Sequence, residues 1–169
     1  MGKMVGYSEY KELLGDFINI VKNTLGDQVI SIILYGSVAR GTAKTDSDVD
    51  LLLILKEAAP QYWKRLQPFF SILKEMKKQQ SWEKLENQGI TPSLNLLLLS
   101  LEEAKENRYL YMDMIEEAVI LVDTDGFFQG RLESFRQRLE HLGARKVKRE
   151  GDWFWELKPD LKPEEKIFL

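Results

Sequence analysis

The hydrophobic positions of the chain change repeatedly between helical and strand-like spacing. Apolar residues recur at helical spacing over 10–25, and Gly26 follows where a helix cap belongs. Residues 29–35 are largely β-branched and apolar, which is typical of a strand covered on both faces. A second such run over 48–55 opens with two acidic residues. The pattern therefore predicts a helix, a strand, a short polar connection and another strand.

Two prolines determine the predictions for the middle of the chain. Because proline suits the first turn of a helix, Pro60 predicts one or two helical turns over 60–66. For the same reason Pro68 predicts the start of a longer helix that ends near Asn87, and Gly89 follows as its stop signal.

The remaining elements again alternate between strands and helices. Residues 94–99 are strand-like, and Ser100 and Glu103 have the spacing of a capping box at the start of a helix. This helical region is expected to break near Asn107 and to end near Glu117. Four further elements are predicted: a strand over 118–122, an amphipathic helix over 127–142, a hairpin over 144–149 and 153–157 that turns at Gly151 and Asp152, and a loosely held tail over 158–169.

This order predicts one domain of the α/β (α+β) class, with a mixed β-sheet flanked by helices. A chain of 169 residues, 44% of them hydrophobic, is long and apolar enough for one such core. The absence of cysteine excludes disulfide frameworks and thiolate nucleophiles, and a single histidine, His141, makes triads and zinc centres poor candidates. Any metal chemistry would use oxygen ligands.

Charge adds little to this prediction at the level of the whole chain. The formal net charge is −3, which gives no general attraction to nucleic acid or to an anionic membrane. The N-terminus lacks the apolar run of a signal peptide, and no stretch approaches the roughly 20 apolar residues that span a bilayer. We therefore predict a cytoplasmic protein without a membrane partner.

The C-terminal third is locally basic. Its basic residues are Arg131, Arg136, Arg138, Arg145, Lys146, Lys148 and Arg149, and Trp153 and Trp155 follow at strand spacing. Such a set suits contact with single-stranded RNA through phosphate pairing and base stacking. We prefer the interpretation that these residues form a solvated helix face and that the tryptophans close the core.

Two aspartates mark the start of the second predicted strand. Asp48 and Asp50 are two residues apart, so the pleat of a strand points both carboxylates to the same face. Carboxylates this close repel each other, and a nearby divalent cation offsets the repulsion. Their hard oxygen atoms suit Mg²⁺ or Mn²⁺, which stabilise phosphate charge in phosphoryl or nucleotidyl transfer. An isolated Asp-x-Asp is nevertheless weak evidence, because surface strand ends often carry such pairs.

A glycine-containing segment precedes this pair. Gly36 and Ser37 follow the first predicted strand directly, where a bend in the backbone turns amides and a hydroxyl toward an anion. Arg40 and Lys44 are close enough in sequence to neutralise a polyphosphate, and Gly41 permits a close backbone approach. Each residue alone also fits a plain strand, short helix and turn. Their combination with the aspartate pair in one short unit favours a functional site.

This arrangement resembles the signature of the polymerase β nucleotidyltransferase superfamily: Gly36-Ser37, ten residues, then Asp48-x-Asp50 and an apolar strand. It is most similar to the minimal (MNT-type) branch of bacteria and archaea, whose members often pair with helical toxin proteins of the HEPN class. The motif covers 34–53, and the order of elements extends the likeness over about 10–99. The resemblance implies a polymerase β-like fold, with a nucleotidyltransferase core over 1–122 and a C-terminal helix, hairpin and tail over 123–169 packed on the same domain.

The resemblance also implies a reaction and a set of site residues. Asp48 and Asp50 would be the catalytic pair that binds Mg²⁺ or Mn²⁺. The nucleotide-binding set would be Gly36, Ser37, Arg40, Lys44 and Ser47. A hydroxyl of a protein or another acceptor would attack the α-phosphate of a nucleoside triphosphate, most readily ATP, and pyrophosphate would leave. A HEPN-type helical protein is the partner that this likeness implies.

The chain departs from the family at the third carboxylate, which active members usually supply from a later strand. The corresponding stretch, 92–99, contains no acid. Ser93 and Asn95 share one face there, but a neutral oxygen neither balances a second Mg²⁺ nor acts as a base. The acids that neighbouring helices offer instead are Glu83, Glu86, Glu102 and Glu103.

Two hypotheses of different class follow. One is an enzyme; the other is a non-catalytic, antitoxin-like module that binds a nucleotide or a partner. We favour the enzyme, because the first carboxylate pair is intact and such a pair is costly to keep together without a role.

Overall fold

The fold is a four-stranded mixed β-sheet with helices packed on both of its faces, as the sequence predicts. The computed structural model describes residues 4–149 and 152–160. The helices are α1 (Tyr7–Leu25), α2 (Gly36–Arg40), α3 (Tyr62–Met76), α4 (Gln80–Asn87), α5 (Leu101–Lys105), α6 (Leu110–Glu117) and α7 (Phe127–His141). The strands are β1 (Val29–Tyr35), β2 (Val49–Leu55), β3 (Leu94–Ser100), β4 (Val119–Asp123), β5 (Arg145–Arg149) and β6 (Asp152–Glu156).

The strands of the main sheet follow the order β3-β2-β1-β4. Strand β1 is antiparallel to both of its neighbours, β2 and β4, whereas β2 and β3 run parallel. The two central strands are the two apolar runs of the sequence, and their burial on both faces explains why they lack a polar alternation. The sheet therefore orients β2 and β3 so that both begin at the same edge.

The two faces of the sheet have separate hydrophobic cores. Leu51 and Leu53 of β2 contribute to the core beneath α1, α3 and α4. Leu52 and Ile54 contribute to the other core, together with residues of α6 and α7 such as Tyr111. Because side chains alternate along a strand, Asp50 points to the same face as Leu52, at the edge where β2 begins.

Helix α1 illustrates how local signals set the helix ends. It begins at Tyr7, three residues earlier than the apolar periodicity predicts, because the carboxylate of Glu9 accepts a hydrogen bond of 2.7 Å from the amide of Gly6. It ends at Leu25, and the cap that follows is Gly26, whose φ of 57° suits glycine. Neither α1 nor any other helix in the described part of the chain is long and apolar enough to cross a bilayer.

The predictions around Pro68 are wrong. Pro68 does not begin a helix but lies inside α3, and residues 62–66 form the first turns of that same helix. Proline removes one backbone hydrogen bond there, and the helix tolerates the loss because Phe69, Ile72 and Met76 bury its inner face. The single helix predicted over 68–87 is two, since α3 ends at Met76 and α4 begins after a short turn.

The C-terminal elements agree with the predicted helix and the two hairpin strands. Helix α7 packs on α6, β1 and β4, and Trp155 of β6 packs against the same core. The turn predicted at Gly151 and the tail from residue 161 onward lie outside the described residues. The division of the chain between residues 122 and 123 stays a prediction.

The basic side chains of the C-terminal third largely contact the protein itself. Arg131 donates to Asn107 and to a backbone carbonyl of α5, and Arg136 donates to the carbonyl of Ile115. Two more basic residues form ion pairs, Arg145 with Glu156 and Lys146 with Glu116. These contacts favour the structural interpretation of the basic segment over RNA binding. The prediction that both tryptophans close the core is wrong for Trp153, which is 60% exposed because it lies at the start of β6, beyond the core residues against which Trp155 packs.

A partly buried ion pair joins α3 to the start of α5. The guanidinium of Arg65, with only 8% of its side chain exposed, donates to both carboxylate oxygens of Glu103 at 2.7 and 2.9 Å. Arg65 also donates to the carbonyl of Leu98, and Glu103 completes the capping box with Ser100. The hydrogen bonds from Arg65 lower the pKa of Glu103 to about 2.

We expect the Arg65–Glu103 pair to make the protein sensitive to acid. A carboxyl group whose pKa falls from 4.5 to about 2 on folding stabilises the protein above pH 4.5, and loses this contribution as the pH falls toward 2. Because Glu103 is about one-third exposed, solvent screening reduces the contribution to about 1–2 kcal/mol. Urea unfolding at several pH values should show a smaller loss of stability on acidification in Glu103→Gln than in wild type.

The matched control is Glu102→Gln. Glu102 is the neighbouring residue, but its side chain is 79% exposed and pairs with Lys105 rather than with Arg65. Its substitution should leave the pH dependence unchanged. An equal effect of both substitutions would contradict a specific role for the pair with Arg65.

Candidate functional site

The predicted site residues meet at the edge of the sheet where β1 ends and β2 begins. Tyr35, the last residue of β1, is the register partner of Asp50 on β2. Asp50 is in turn the register partner of Asn95 on β3. Helix α2 begins with Gly36, directly after β1. Three strands and one short helix therefore position the site.

The carboxylate of Asp50 is fixed from two sides. On one side the amide of Asn95 donates a hydrogen bond of 2.8 Å to Oδ1. On the other side Oδ2 lies against the Cα of Gly36, so closely that a Cβ at this position would collide with it. Gly36 also has a φ of 72°, which side-chain-bearing residues rarely adopt. Glycine is thus needed at position 36 for conformation and for space.

Asp48 stands one residue before β2. Its side chain is exposed, Val49 between the two aspartates is fully buried, and Asp50 is half-buried. The amide of Val49 donates to the carbonyl of Ser93 at 2.7 Å, which holds this segment to the start of β3. We still expect both carboxylates on the same face, because residues two apart along a strand point to the same side.

The donor set fits one hard divalent cation. Mg²⁺ is commonly held by one or two carboxylates, with waters and substrate phosphates as its other ligands, and the Asp48–Asp50 pair matches that requirement. Within residues 4–149 and 152–160, no three acidic or histidine side chains come together as a metal-binding group. The described residues therefore fit one metal ion and do not provide a third carboxylate for a second.

The start of α2 is open to an anion. The residue before the helix, Tyr35, makes no side-chain cap, and the first amides of a helix have no acceptor within the helix itself. Ser37 is half-buried and directly follows Gly36. At the other end Gly41 adopts a left-handed conformation with a φ of 73° and returns the chain toward β2.

The predicted cations of the site differ in their surroundings. Arg40 donates to Glu117 of α6 at 2.9 Å, so its charge is already balanced. Lys44 is exposed and forms no ion pair with any residue that the structure describes. The hydroxyl of Ser47 accepts a hydrogen bond of 2.9 Å from the amide of Lys44 and so closes the turn before β2. Of the two cations, Lys44 is the one available to an anion without breaking a contact.

Tyr35 is a neighbour of Asp50 that the sequence does not single out. Burial raises the pKa of its phenol, and the negative charge of Asp50 raises it further. The phenol is therefore neutral near physiological pH and can donate or accept a hydrogen bond at this edge. Its position follows from the register of β1 with β2, which no local pattern specifies.

None of the four glutamates considered from sequence reaches Asp50. Glu83 and Glu86 belong to α4, which packs against α1 beneath the opposite face of the sheet. Glu102 and Glu103 follow the end of β3. Because Asp50 lies at the beginning of the parallel strand β2, about 17 Å of strand separates them from it.

The acids that do approach the site come from α6. A cavity of 170 Å³ beside Gly36 is lined by Asp113 and Glu117 as well as by Tyr35 and Arg40. Glu117 is engaged by Arg40, whereas Asp113 is exposed and forms no hydrogen bond or ion pair within the described residues. Sequence reasoning missed both because the folding of α6 onto this edge leaves no local signal.

Comparison with known proteins gives two sequence findings. A profile of the family described as nucleotidyltransferase domain matches residues 14–167. A protein of Methanocaldococcus jannaschii, MJ1305, whose name describes a candidate protein adenylyltransferase, is 30% identical over 141 residues. The matched region covers 83% of this chain and 90% of that relative.

Two solved structures are similar to the chain. Spectinomycin adenyltransferase from Enterococcus faecialis, solved with ATP and spectinomycin, is 12% identical with a TM-score of 0.50, and the match covers 78% of this chain and 66% of that chain. A chain of the complex between the tri-AMPylated HEPN toxin of Shewanella oneidensis and its MNT antitoxin is 10% identical with a TM-score of 0.43, over 79% of this chain and 92% of that chain. The first likeness shows a shared fold.

Because Gly36 contacts Asp50, we expect that adding one methyl group at position 36 lowers the stability of the fold. In Gly36→Ala the new Cβ meets Oδ2 of Asp50 and also has to adopt a positive φ. We expect the substitution to lower the free energy of unfolding by about 1–2 kcal/mol for the backbone and by about 1–3 kcal/mol more for the collision. Urea unfolding measures the sum.

Gly41→Ala is the matched control, because Gly41 has nearly the same φ and a Cβ there meets no atom within 4 Å. Its free energy of unfolding should fall only by the amount that the positive φ causes. In an Asp50→Ala background, which removes the colliding carboxylate, Gly36→Ala should cost no more than Gly41→Ala. Equal costs of the two glycine substitutions in the wild-type background would contradict the proposed contact.

Proposed function

We propose that this chain, which belongs to the family of nucleotidyltransferase domains, is an active transferase. It would transfer a nucleoside monophosphate from a nucleoside triphosphate to a hydroxyl group of a protein or another acceptor. We propose ATP as the donor. The similarity to a candidate protein adenylyltransferase over most of both chains supports both choices.

The observation that carries this proposal is the position of the Asp50 carboxylate, held between Gly36 and Asn95. It lies directly beside the open start of α2. A triphosphate whose terminal phosphates contact the amides of Gly36 and Ser37 would therefore place its α-phosphate near Asp48 and Asp50. Metal binding and phosphate binding are thus adjacent at this edge.

The chemistry that we propose is one displacement at phosphorus. The acceptor oxygen forms a bond to the α-phosphorus while the bond to the bridging oxygen of pyrophosphate breaks, and the proton of the acceptor hydroxyl passes to solvent water. A divalent cation, when bound, supplies charge stabilisation at the phosphate oxygens. Gly36 and Ser37 would hold the leaving phosphates, and Lys44 would add a positive charge.

Arg40 can join this set only by exchanging partners. Its guanidinium is bonded to Glu117 at 2.9 Å, so a phosphate has to compete with that carboxylate. Both side chains are partly exposed, with 40% and 24% accessible, and such a pair is worth only about 0–1 kcal/mol. A multiply charged phosphate can therefore recruit Arg40 at a small cost.

A second candidate function is a binding module without catalysis. The observation that favours it is Asn95, whose amide stands beside Asp50 where a third carboxylate would bind a second metal ion. An amide can orient Asp50 but cannot accept the proton of the acceptor hydroxyl near neutral pH. An antitoxin-like role would need only the nucleotide site or a partner surface.

For the partner we propose a helical protein of the HEPN class, and for the site of action the cytoplasm. The first follows from the resemblance of the Gly36 to Asp50 signature to the minimal branch of the superfamily. A HEPN-type protein is accordingly the first acceptor to test. Other proteins and small hydroxyl compounds come after it.

Nucleotide binding should depend on the aspartate pair. Titration of ATP with Mg²⁺ by calorimetry should give a measurable affinity in wild type. Asp48→Asn combined with Asp50→Asn removes both carboxylates and should weaken it by about 100-fold or more, since two charge-assisted contacts are lost and each is worth about 1.5–3 kcal/mol. Asp46→Asn, which removes a nearby exposed carboxylate outside the proposed site, is the control. Equal affinity in the double variant and wild type would refute the proposed site.

Transfer itself separates the enzyme from the binding module. The protein, alone and with a HEPN-type partner, should transfer label from α-³²P-labelled ATP and should lose this activity in Asp50→Asn. The variant Asn95→Asp adds the missing carboxylate at the same register position. Absence of a labelled product with any of the four nucleoside triphosphates in wild type, together with labelling by Asn95→Asp, would establish that the wild-type chain is a binding module.

A further inference from the structure

A groove opens on the outer side of β3, between that strand and α3. It encloses 310 Å³ and is bordered by Tyr62, Phe70 and Leu73 of α3 and by Leu94 and Leu96 of β3. Asn95 also borders it. Leu94 and Leu96 point to the face of the sheet that α3 covers, whereas the Asn95 side chain points to the other face, toward Asp50. The groove and the candidate site therefore lie on opposite faces and meet at the outer edge of β3.

The order of the strands indicates what approaches from this side. The proposed phosphate contacts lie at the end of β1, the aspartate pair lies on β2, and Asn95 lies on β3. In a displacement at phosphorus, the attacking oxygen and the leaving oxygen stand roughly in line on opposite sides. With pyrophosphate on the β1 side, the acceptor has to enter from the β3 side, where the groove is.

Several aromatic side chains of α3 at or near the groove are exposed to solvent. Phe70 is 67% exposed and Tyr62 is 44% exposed, and Trp63 on the same helix is 59% exposed. Tyr62 and Phe70 border the groove, and exposed aromatic residues supply much of the binding energy at protein interfaces. A volume of 310 Å³ suits a few side chains of a partner rather than a folded domain.

Pairing with an added β-strand is not the mode of binding that this edge offers. The hydroxyl of Tyr62 donates to the carbonyl of Leu96 at 3.1 Å, and the guanidinium of Arg65 donates to the carbonyl of Leu98 at 3.2 Å. Two outward carbonyls of β3 are therefore already engaged by α3. An occupant would dock through its side chains.

The charge along α3 is opposite in sign to that of the whole chain. Residues 62–78, which are α3 and the turn after it, contain five basic residues and one acid, Glu75. Arg65 pairs with Glu103 and Lys78 pairs with Glu75, so the positive excess rests on Lys64, Lys74 and Lys77. Lys74 and Lys77 follow Phe70 and Leu73 by one helical turn, are exposed, and take part in no ion pair among the residues that the structure describes. The groove thus favours an acidic occupant.

We propose that this groove docks an acidic segment of a polypeptide acceptor that carries two or three apolar or aromatic side chains. The docked segment brings a hydroxyl of the same polypeptide to the Asp48–Asp50 pair. The inference rests on the proposed transfer reaction for its purpose, but the binding surface itself can be tested without that reaction.

The test uses fluorescence anisotropy with a labelled short peptide in which leucine and phenylalanine alternate with aspartate and glutamate. A second peptide carries lysine in place of every acid, and a third carries alanine in place of every large apolar residue. Only the first should bind the full chain, and Phe70→Ala should weaken its binding about tenfold. Lys74→Glu combined with Lys77→Glu should weaken it as well, and more strongly at low salt than at high salt.

Phe154→Ala is the matched control, because Phe154 is an exposed phenylalanine, 52% accessible, on β6 rather than in the groove. It should leave peptide binding unchanged. The proposal is overturned if the lysine peptide binds equally well, if Phe70→Ala has no effect, or if Phe154→Ala has the same effect. It is also overturned if unlabelled polyuridylate displaces the peptide, which would indicate RNA, or if Phe70→Ala abolishes self-association in sedimentation, which would indicate a second copy.

Measurements of peptide binding and of nucleotide transfer distinguish an error in the proposed groove from an error in the proposed function. The variant Asp50→Asn should bind the acidic peptide as wild type does, because the carboxylate does not border the groove. Peptide binding without nucleotide transfer would contradict only the proposed reaction and support the groove. If Phe70→Ala leaves transfer to a protein acceptor unchanged, the proposed docking in the groove is overturned and the proposed reaction is not.

Discussion

The site depends on the burial of the strand that carries Asp50. Val49 and Leu51 on either side of it have no accessible surface, and a shift of β2 by one residue would move the acid into the core. The buried register therefore fixes the carboxylate between Gly36 and Asn95 before any ligand binds. A carboxylate held in this way loses little further freedom when it binds a cation, which is the general advantage of a preorganised site.

A second set of charges connects this edge to the C-terminal hairpin. Glu117 at the end of α6 contacts Arg40 at 2.9 Å and Lys146 of β5 at 3.6 Å, and Lys146 also contacts Glu116 at 3.0 Å. If a phosphate recruits Arg40, Glu117 keeps Lys146 as a partner and is not left unpaired. Because these side chains are partly exposed, the coupling between α2 and the hairpin is modest. It nevertheless gives the C-terminal segment a physical connection to the proposed phosphate site.

The sequence predicts those parts of the fold that local patterns determine. The ends of β1 and β2 follow from apolar runs that both faces of the sheet cover, and the capping box at Ser100 predicts the start of α5. Pro68 misleads because its local preference is weaker than the burial of Phe69 and its neighbours in α3. For the site, Gly36, Asp48 and Asp50 are recognisable as one short segment. The bond from Asn95 depends on strand register, which no spacing along the chain specifies.

The neutral residue at position 95 has a further consequence for the approach of an acceptor. A carboxylate there would lie beside Asp50 at the outer edge of β3, which the acceptor has to pass, and without a second cation it would repel an acidic segment. The amide keeps Asp50 oriented without adding that charge. The neutral side chain that weakens a second metal site therefore also avoids a negative charge on the β3 side. An acidic acceptor and the absence of a third carboxylate on β3 are thus physically compatible, whereas a third carboxylate without a metal ion of its own would repel such an acceptor.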